Sequence, residues 1–244
     1  MSQNQTIEKL QRLKFSGMEK AFEEQLQMPQ VKELSFEERF SFLVDRELTE
    51  RENRKLTNRL RKAQLKENAC IEDIDFKSSR GIEKSQVLSY CDCEWVRRNQ
   101  NIILSGSCGV GKTYLACALA QKACREGFSA SYYRISRLFE ELAISKGDGR
   151  YIKILEKIAK SDVLVLDDFG ISVLDKNERE ALLEIVEDRY KIRSTIIATQ
   201  LPIEKWHEII QDSTIADAIL DRLVHNSHKI KIKGNSMRKE QNDE

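Results

Sequence analysis

Residues 101–113 read N-I-I-L-S-G-S-C-G-V-G-K-T, and residues 114–124 continue Y-L-A-C-A-L-A-Q-K-A-C. Gly106–Thr113 fits the pattern G-x-x-x-x-G-K-[ST]. The apolar run Asn101–Leu104 predicts a strand before it, and helical spacing over about 112–125 predicts a helix after it. A strand that enters a glycine-rich loop and leaves as a helix is the context that gives this motif meaning. The glycines let the backbone wrap the β- and γ-phosphates of a nucleotide with its N–H groups turned inward, and the helix N-terminus favours negative charge. Gly106, Ser107, Cys108, Gly109, Val110, Gly111, Lys112, Thr113 and Tyr114 are therefore the candidate nucleotide-binding residues. Lys112 would bring its charge to the β- and γ-phosphates, and the Thr113 hydroxyl would bind magnesium. ATP and Mg2+ are the cofactors this stretch implies.

Further along, V-L-V-L-D-D-F-G (163–170) is an apolar strand that ends in two carboxylates. Asp167 is placed to hold magnesium through water, as a Walker B aspartate does. Asp168 would project toward the γ-phosphate and orient or deprotonate the attacking water. A second acid here fits a hydrolase better than a kinase that phosphorylates a small molecule. T-I-I-A-T-Q ends another strand, and either Thr199 or Gln200 could reach the γ-phosphate or the lytic water. Arg222, in D-A-I-L-D-R-L, could face solvent, pair with Asp217 or Asp221, or reach a neighbouring subunit. From these residues alone the first two are favoured.

The same alternation of short apolar runs and helical segments organises residues 83–244. Strands are expected at Asn101–Leu104, Ala130–Tyr133, Val163–Asp167, Thr195–Thr199 and Ile230–Ile232, with helices at about 112–125, 135–159, 176–190 and 203–223. That order predicts an α/β domain, a parallel sheet covered by helices on both faces. In H-K-I-K-I-K apolar and basic residues alternate, which marks an edge strand with one wet face.

Residues 1–68 read as a separate helical domain, and 69–82, ending in Ser-Ser-Arg-Gly, as a linker. Ser35 and Glu38 have the form of a capping box. Phe36, Phe40, Leu43 and Val44 recur at helical spacing, so the phenylalanines are expected in a core. Beyond them Leu56, Leu60 and Ala63 share one side of a long helix, while Arg51, Lys55, Arg59, Lys62 and Lys66 run along another. With Arg54 and Arg61 these form a cationic stretch interrupted by a single acid, Glu52. A solvated helix face is the plain account of it, and a DNA phosphate backbone is the functional one. A second basic cluster, Lys229, Lys231, Lys233, Arg238 and Lys239, lies near the C-terminus.

Composition excludes several classes. The net charge of +1 and 40% hydrophobic content describe a soluble globular chain. No run approaches the eighteen or so apolar residues of a membrane span, and the N-terminus has no secretory pattern, so a cytoplasmic location is expected. Six cysteines without paired zinc spacing read as free thiols, with Cys117 and Cys124 on one helix face.

These motifs together resemble the AAA+ ATPases of the DnaA/DnaC branch, and more closely the IstB-type transposition helper proteins of bacterial insertion sequences. The resemblance rests on Leu13–Met18 (LKFSGM), Phe36–Leu56, Ile71–Phe76, the P-loop and Asp-Asp segments, LPIEKWHEII, ADAILDRLVHN and IKIKGNSMRK. It implies the five-stranded sheet order 5-1-4-3-2. It implies that Arg222 is an arginine finger completing a neighbour's site, and that Arg238 resembles a second sensor arginine. With six residues after Arg238 there is no room for a helical lid domain, which leaves that arginine's contact open. The resemblance further implies ATP-dependent homo-oligomers on double-stranded DNA, with a transposase as partner. A DnaC-like replicative helicase loader is the nearest rival. The absence of aromatic platforms outside a core would count against its single-stranded DNA. An ATP-gated DNA-binding switch that scarcely hydrolyses is a further rival.

Overall fold

The structure is a computed structural model that describes residues 3–76 and 82–234. The chain divides into two compact units, 1–58 and 59–244. The expected Ser-Ser-Arg-Gly linker turn falls outside the described residues, as does Arg238.

In the larger unit, five strands form one sheet: β1 (Asn101–Gly106), β2 (Ala130–Arg134), β3 (Val163–Phe169), β4 (Ser194–Thr199) and β5 (Ser227–Ile232). Their order is β2-β3-β4-β1-β5, all neighbours parallel. This is the order the resemblance implied, read from the other edge. The central strands are apolar on both faces because helices cover both. Ile103, Leu164, Leu166 and Ile197 share a core with side chains of α7 (Ile135–Asp148), α8 (Tyr151–Lys160), α9 (Lys176–Arg189), α10 (Trp206–Ile210) and α11 (Ser213–Val224). Pleat alternation sends Ile102, Leu104, Val165 and Ile196 to the opposite face, where α6 (Lys112–Arg125) packs. On β5, Ile230 and Ile232 are buried while Lys229 and Lys231 are exposed, so this edge strand has the expected wet face.

Two of the expected helices are broken in two. The chain leaves α7 at Gly149 and restarts as α8. Gln211 takes a φ of 57° between α10 and α11, and Asp212 starts α11 by accepting from the Ile215 N–H. Both breaks are local turns that an apolar period read over the whole segment passes over.

The smaller unit holds α1 (Gln3–Arg12), α2 (Ser16–Gln27), a 3-10 turn at Pro29–Glu33 and most of α3 (Phe36–Ala63). Ser35 and Glu38 form the expected reciprocal cap at the start of α3, at 2.8 and 3.2 Å. The L-K-F-S-G-M segment meets the middle of α3. Gly17 and Met18 donate their N–H groups to Glu47 Oε2 at 2.7 and 3.1 Å, and Arg51 Nε donates to Glu47 Oε1 at 2.6 Å. A Cβ on Gly17 would stand 2.5 Å from the Glu47 Cα, so the two helices touch through bare backbone. Arg54 donates to Ser16 Oγ at 2.6 Å, and the Arg51 guanidinium lies over the Phe15 ring.

Two expectations for this region are corrected. Phe36 is 71% exposed, and Phe40 and Phe42 are also exposed. Helical spacing puts Phe36, Phe40 and Val44 on one ridge of α3 but cannot say what covers it. The cationic stripe is also shorter than expected, because α3 ends at Ala63, Gln64 has a φ of 51°, and Lys66 lies beyond the helix.

Candidate nucleotide-binding site

The C-terminal ends of β1, β3 and β4 gather the chemistry, as the ends of parallel strands do in open α/β sheets. The P-loop leaves β1 and turns into α6 through Gly109 and Gly111, at φ 80° and 100°. Lys112 is almost buried, and its ammonium donates to the carbonyls of Gly106 at 2.8 Å and Ser107 at 2.7 Å. The loop is thus braced from within by the residue that would meet the phosphates.

Asp167 is 1% exposed. Thr113 Oγ1 donates to it, lying 3.1 Å from Oδ1 and 3.0 Å from Oδ2, and the Tyr132 hydroxyl donates to Oδ2 at 2.6 Å. These donors are neutral hydroxyls around a buried carboxylate. Burial, then the hydrogen bond to Asp167, pushes the Tyr132 phenol well above its ordinary value, so it remains a donor. A hydroxyl and a carboxylate oxygen about 3 Å apart are a hard-oxygen pair suited to Mg2+. Among the described residues no three His, Cys, Asp or Glu side chains converge to hold a metal. The donor set therefore fits an ion whose other ligands come from phosphate and water.

Asp168 is engaged by a cation. Its Oδ2 is 2.7 Å from Arg134 Nε, an ion pair with the last residue of β2. The β3–β4 register shifts between Leu166 and Phe169, and Asp168 takes a φ of 62°. A bulge of this kind re-aims a side chain, and aspartate tolerates the left-handed region better than most residues. Tyr132 and Arg134 alternate with Tyr133, so one face of β2 serves both acids. Neither was singled out from sequence; S-Y-Y-R reads only as strand, and its partners lie more than thirty residues away.

At the end of β4 the two sensor candidates separate. Thr199 is fully buried, donating to the Phe169 carbonyl at 2.8 Å and accepting from the Leu201 N–H at 3.1 Å, whereas Gln200 is exposed.

Arg222 lies at the other end of the sheet. Asn101, the first residue of β1, donates to the Arg222 carbonyl at 3.3 Å, while the P-loop follows the last residue of the same strand. The guanidinium pairs with Glu187 at 2.9 Å, donates to the Ala218 carbonyl and lies over the Tyr190 ring. Its acid comes from α9 and is neither Asp217 nor Asp221. A strand of this length separates it from its own P-loop by roughly 17 Å.

Of the expected DNA-binding residues, Arg51, Arg54, Lys55, Lys62 and Lys66 are exposed. Arg51 and Arg54 are engaged by Glu47 and Ser16. Arg59 donates to the Cys124 carbonyl at 2.9 Å. Arg61 is exposed near the end of α3. The cysteines are all free thiols: Cys117, Cys124 and Cys93 are buried, Cys70 and Cys91 partly so, and Cys108 is exposed in the P-loop. Burial pushes the Cys93 and Cys124 thiols up to about 11.

A P-loop at the end of β1, two acids at the end of β3 and the β2-β3-β4-β1-β5 order define a P-loop ATP-binding protein. The family is set by comparison over the whole chain. Residues 8–244 match the family model described as IstB-like ATP binding protein, and the chain belongs to that family. It is 45% identical over 236 residues to an insertion-sequence ATP-binding protein, y4pL, of Sinorhizobium fredii, covering 97% of this chain and 96% of that one. It is 32% identical to the IS21 insertion-sequence ATP-binding protein of Pseudomonas aeruginosa, covering 94% and 86%. Among solved structures, DnaI matches with a TM-score of 0.60 at 23% identity, over 68% of this chain and 92% of that one. AMPPCP-bound DnaA from Aquifex aeolicus matches with 0.59 at 17% identity, over 72% and 53%. At these identities the structures speak to the fold alone. Among the described residues no helix is long and apolar enough to cross a membrane.

Proposed function

We propose that this chain is a Mg2+-dependent ATP hydrolase that assembles on double-stranded DNA in its ATP-bound state and helps a transposase engage target DNA, with hydrolysis dismantling the assembly. The observation that carries the reading is the pairing of Thr113 with buried Asp167 beside a second acid, Asp168. Gly106–Thr113 and Tyr114 would bind the nucleotide, and Lys112 would exchange the Gly106 and Ser107 carbonyls for β- and γ-phosphate oxygens. Thr113 and Asp167 would hold Mg2+, which when bound neutralises phosphate charge and fixes its orientation. Asp168 would orient the lytic water once freed from Arg134, and exposed Gln200 is better placed than Thr199 to meet the γ-phosphate.

The position of Arg222 at the far end of its own sheet supports a role in trans, in a neighbour's site. It would first have to leave Glu187. Head-to-tail contacts of this kind build open or closed rows of subunits. Lys55, Lys62 and Lys66, with Arg51, Arg54 and Arg61, supply exposed cationic positions for phosphate contacts, which position a protein on duplex DNA without reading sequence. The insertion-sequence names of the relatives support a transposase as the partner.

One observation keeps the helicase-loader reading in play. The rings of Phe36, Phe40 and Phe42 are exposed and are not core residues, and single-stranded DNA uses aromatic platforms. Sedimentation and ATPase rate with duplex DNA, single-stranded DNA or none separate the two. Nucleotide-dependent assembly on duplex DNA is expected; stimulation by single strands alone would overturn the proposal in favour of the loader.

A further inference from the structure

Tyr132 sits where no motif placed a functional residue. Its hydroxyl, 2.6 Å from Asp167 Oδ2, approaches a carboxylate that is otherwise met by Thr113. A buried carboxylate is stable only while its lone pairs are occupied. Thr113 has a second duty, since its oxygen is the expected ligand of Mg2+ and its hydroxyl must turn when the ion arrives. Tyr132 has no such duty. It comes from β2, whose register pairs Tyr132 with Val165 and Arg134 with Asp167. Residues before and after Tyr132 along β2 are paired to β3, so the backbone that carries the phenol is fixed.

Asp167 lies on β3 just where the β3–β4 register begins to shift. The ladder alone therefore does not hold this carboxylate's direction. A bond to one oxygen, Oδ2, restrains the rotation of the whole group, which Thr113 meets almost evenly at its two oxygens, 3.1 and 3.0 Å away.

We propose that Tyr132 is a positioning residue for Asp167, holding the carboxylate in the orientation that receives a divalent cation together with bound nucleotide. The proposal rests on the reading of Asp167 as a magnesium-holding residue. Groups that orient a metal-holding side chain contribute about tenfold or more to metal affinity.

The test is a Mg2+ titration of the full chain with a fluorescent, non-hydrolysable ATP analogue, comparing wild type, Tyr132→Phe and Asp167→Asn. Tyr132→Phe should raise the Mg2+ midpoint about tenfold, with analogue affinity in EDTA unchanged and thermal melting still cooperative. Asp167→Asn should raise the midpoint at least as far. An unmoved Tyr132→Phe midpoint beside a shifted Asp167→Asn midpoint overturns the role of Tyr132 alone. If Asp167→Asn does not shift either, the assignment of Asp167 fails and the proposal falls with it. Equal weakening with and without Mg2+ shows a general packing role and also overturns it. Should Tyr132→Phe not fold, Tyr132→Met fills similar volume without a donor and is read the same way; failure of both to fold makes the residue structural and sinks the proposal.

Discussion

In the larger unit, residues 59–244, a sheet buried on both faces holds short polar groups at its strand ends, where Lys112, Asp167, Asp168 and Thr199 each have a named partner. In the smaller unit, helices meet through one buried acid, Glu47, and a glycine with no room for a side chain, while Phe36 and Phe40 stand exposed. The first arrangement protects a site against change in the surroundings. The second leaves apolar and cationic surface unused within the unit, which is what a surface meant for a partner requires. On the proposed function the larger unit carries the ATP chemistry, and the exposed rings and Lys55 of the smaller unit would serve recognition.

The sharpest way to break that division is to remove the second acid. Asp168→Asn should lower ATP turnover about a hundredfold or more, the usual scale of a lost general base, while ATP binding persists. Unchanged turnover would show that Asp168 has no catalytic part. In the other unit, Gly17→Ala should cost about 2 kcal/mol through overpacking, because its Cβ would press on the Glu47 backbone. Hydrogen exchange should rise in residues 3–58 while nucleotide affinity holds. Loss of both would show that the units do not divide the work.

Glu47 gives a pH signature to the same unit. Burial works against its charge, but hydrogen bonds from Arg51, Met18 and Gly17 outweigh it and hold the carboxyl below the ordinary 4.5. A depressed acid contributes stability above its unfolded value and loses it as pH falls through the folded one. The stability of the N-terminal helices should therefore fall below about pH 4.5, and Glu47→Gln should remove about 1.5 kcal/mol at neutral pH. A melt with the same acid sensitivity in Glu47→Gln would contradict the assignment. The smallest expected effect is at Arg134. Arg134→Gln should free Asp168 and raise basal ATPase about threefold, the scale of one part-exposed ion pair; a fall would mean that Arg134 instead supports catalysis.

What could be read from the sequence follows a physical division. Gly106–Thr113 was legible because all its ligands come from one continuous loop with a strand before it and a helix after it. Asp167 and Asp168 were legible because a strand end announces them. Tyr132, Arg134 and Glu187 were not, because their importance arises only when strands or helices more than thirty residues apart become neighbours. Thr199 and Gln200 are adjacent in sequence, and only burial tells them apart. The exposure of the α3 phenylalanines is not legible, because periodicity identifies a face but not what lies against it.

The central claim is that ATP hydrolysis at Asp168 sets the lifetime of an assembly on DNA. The most direct measurement follows complexes of the Asp168→Asn chain on duplex DNA with ATP and Mg2+ over time, beside wild type. The account predicts that both assemble, that wild-type complexes disperse as ATP is consumed, and that Asp168→Asn complexes persist. Dispersal of the two at the same rate would contradict it.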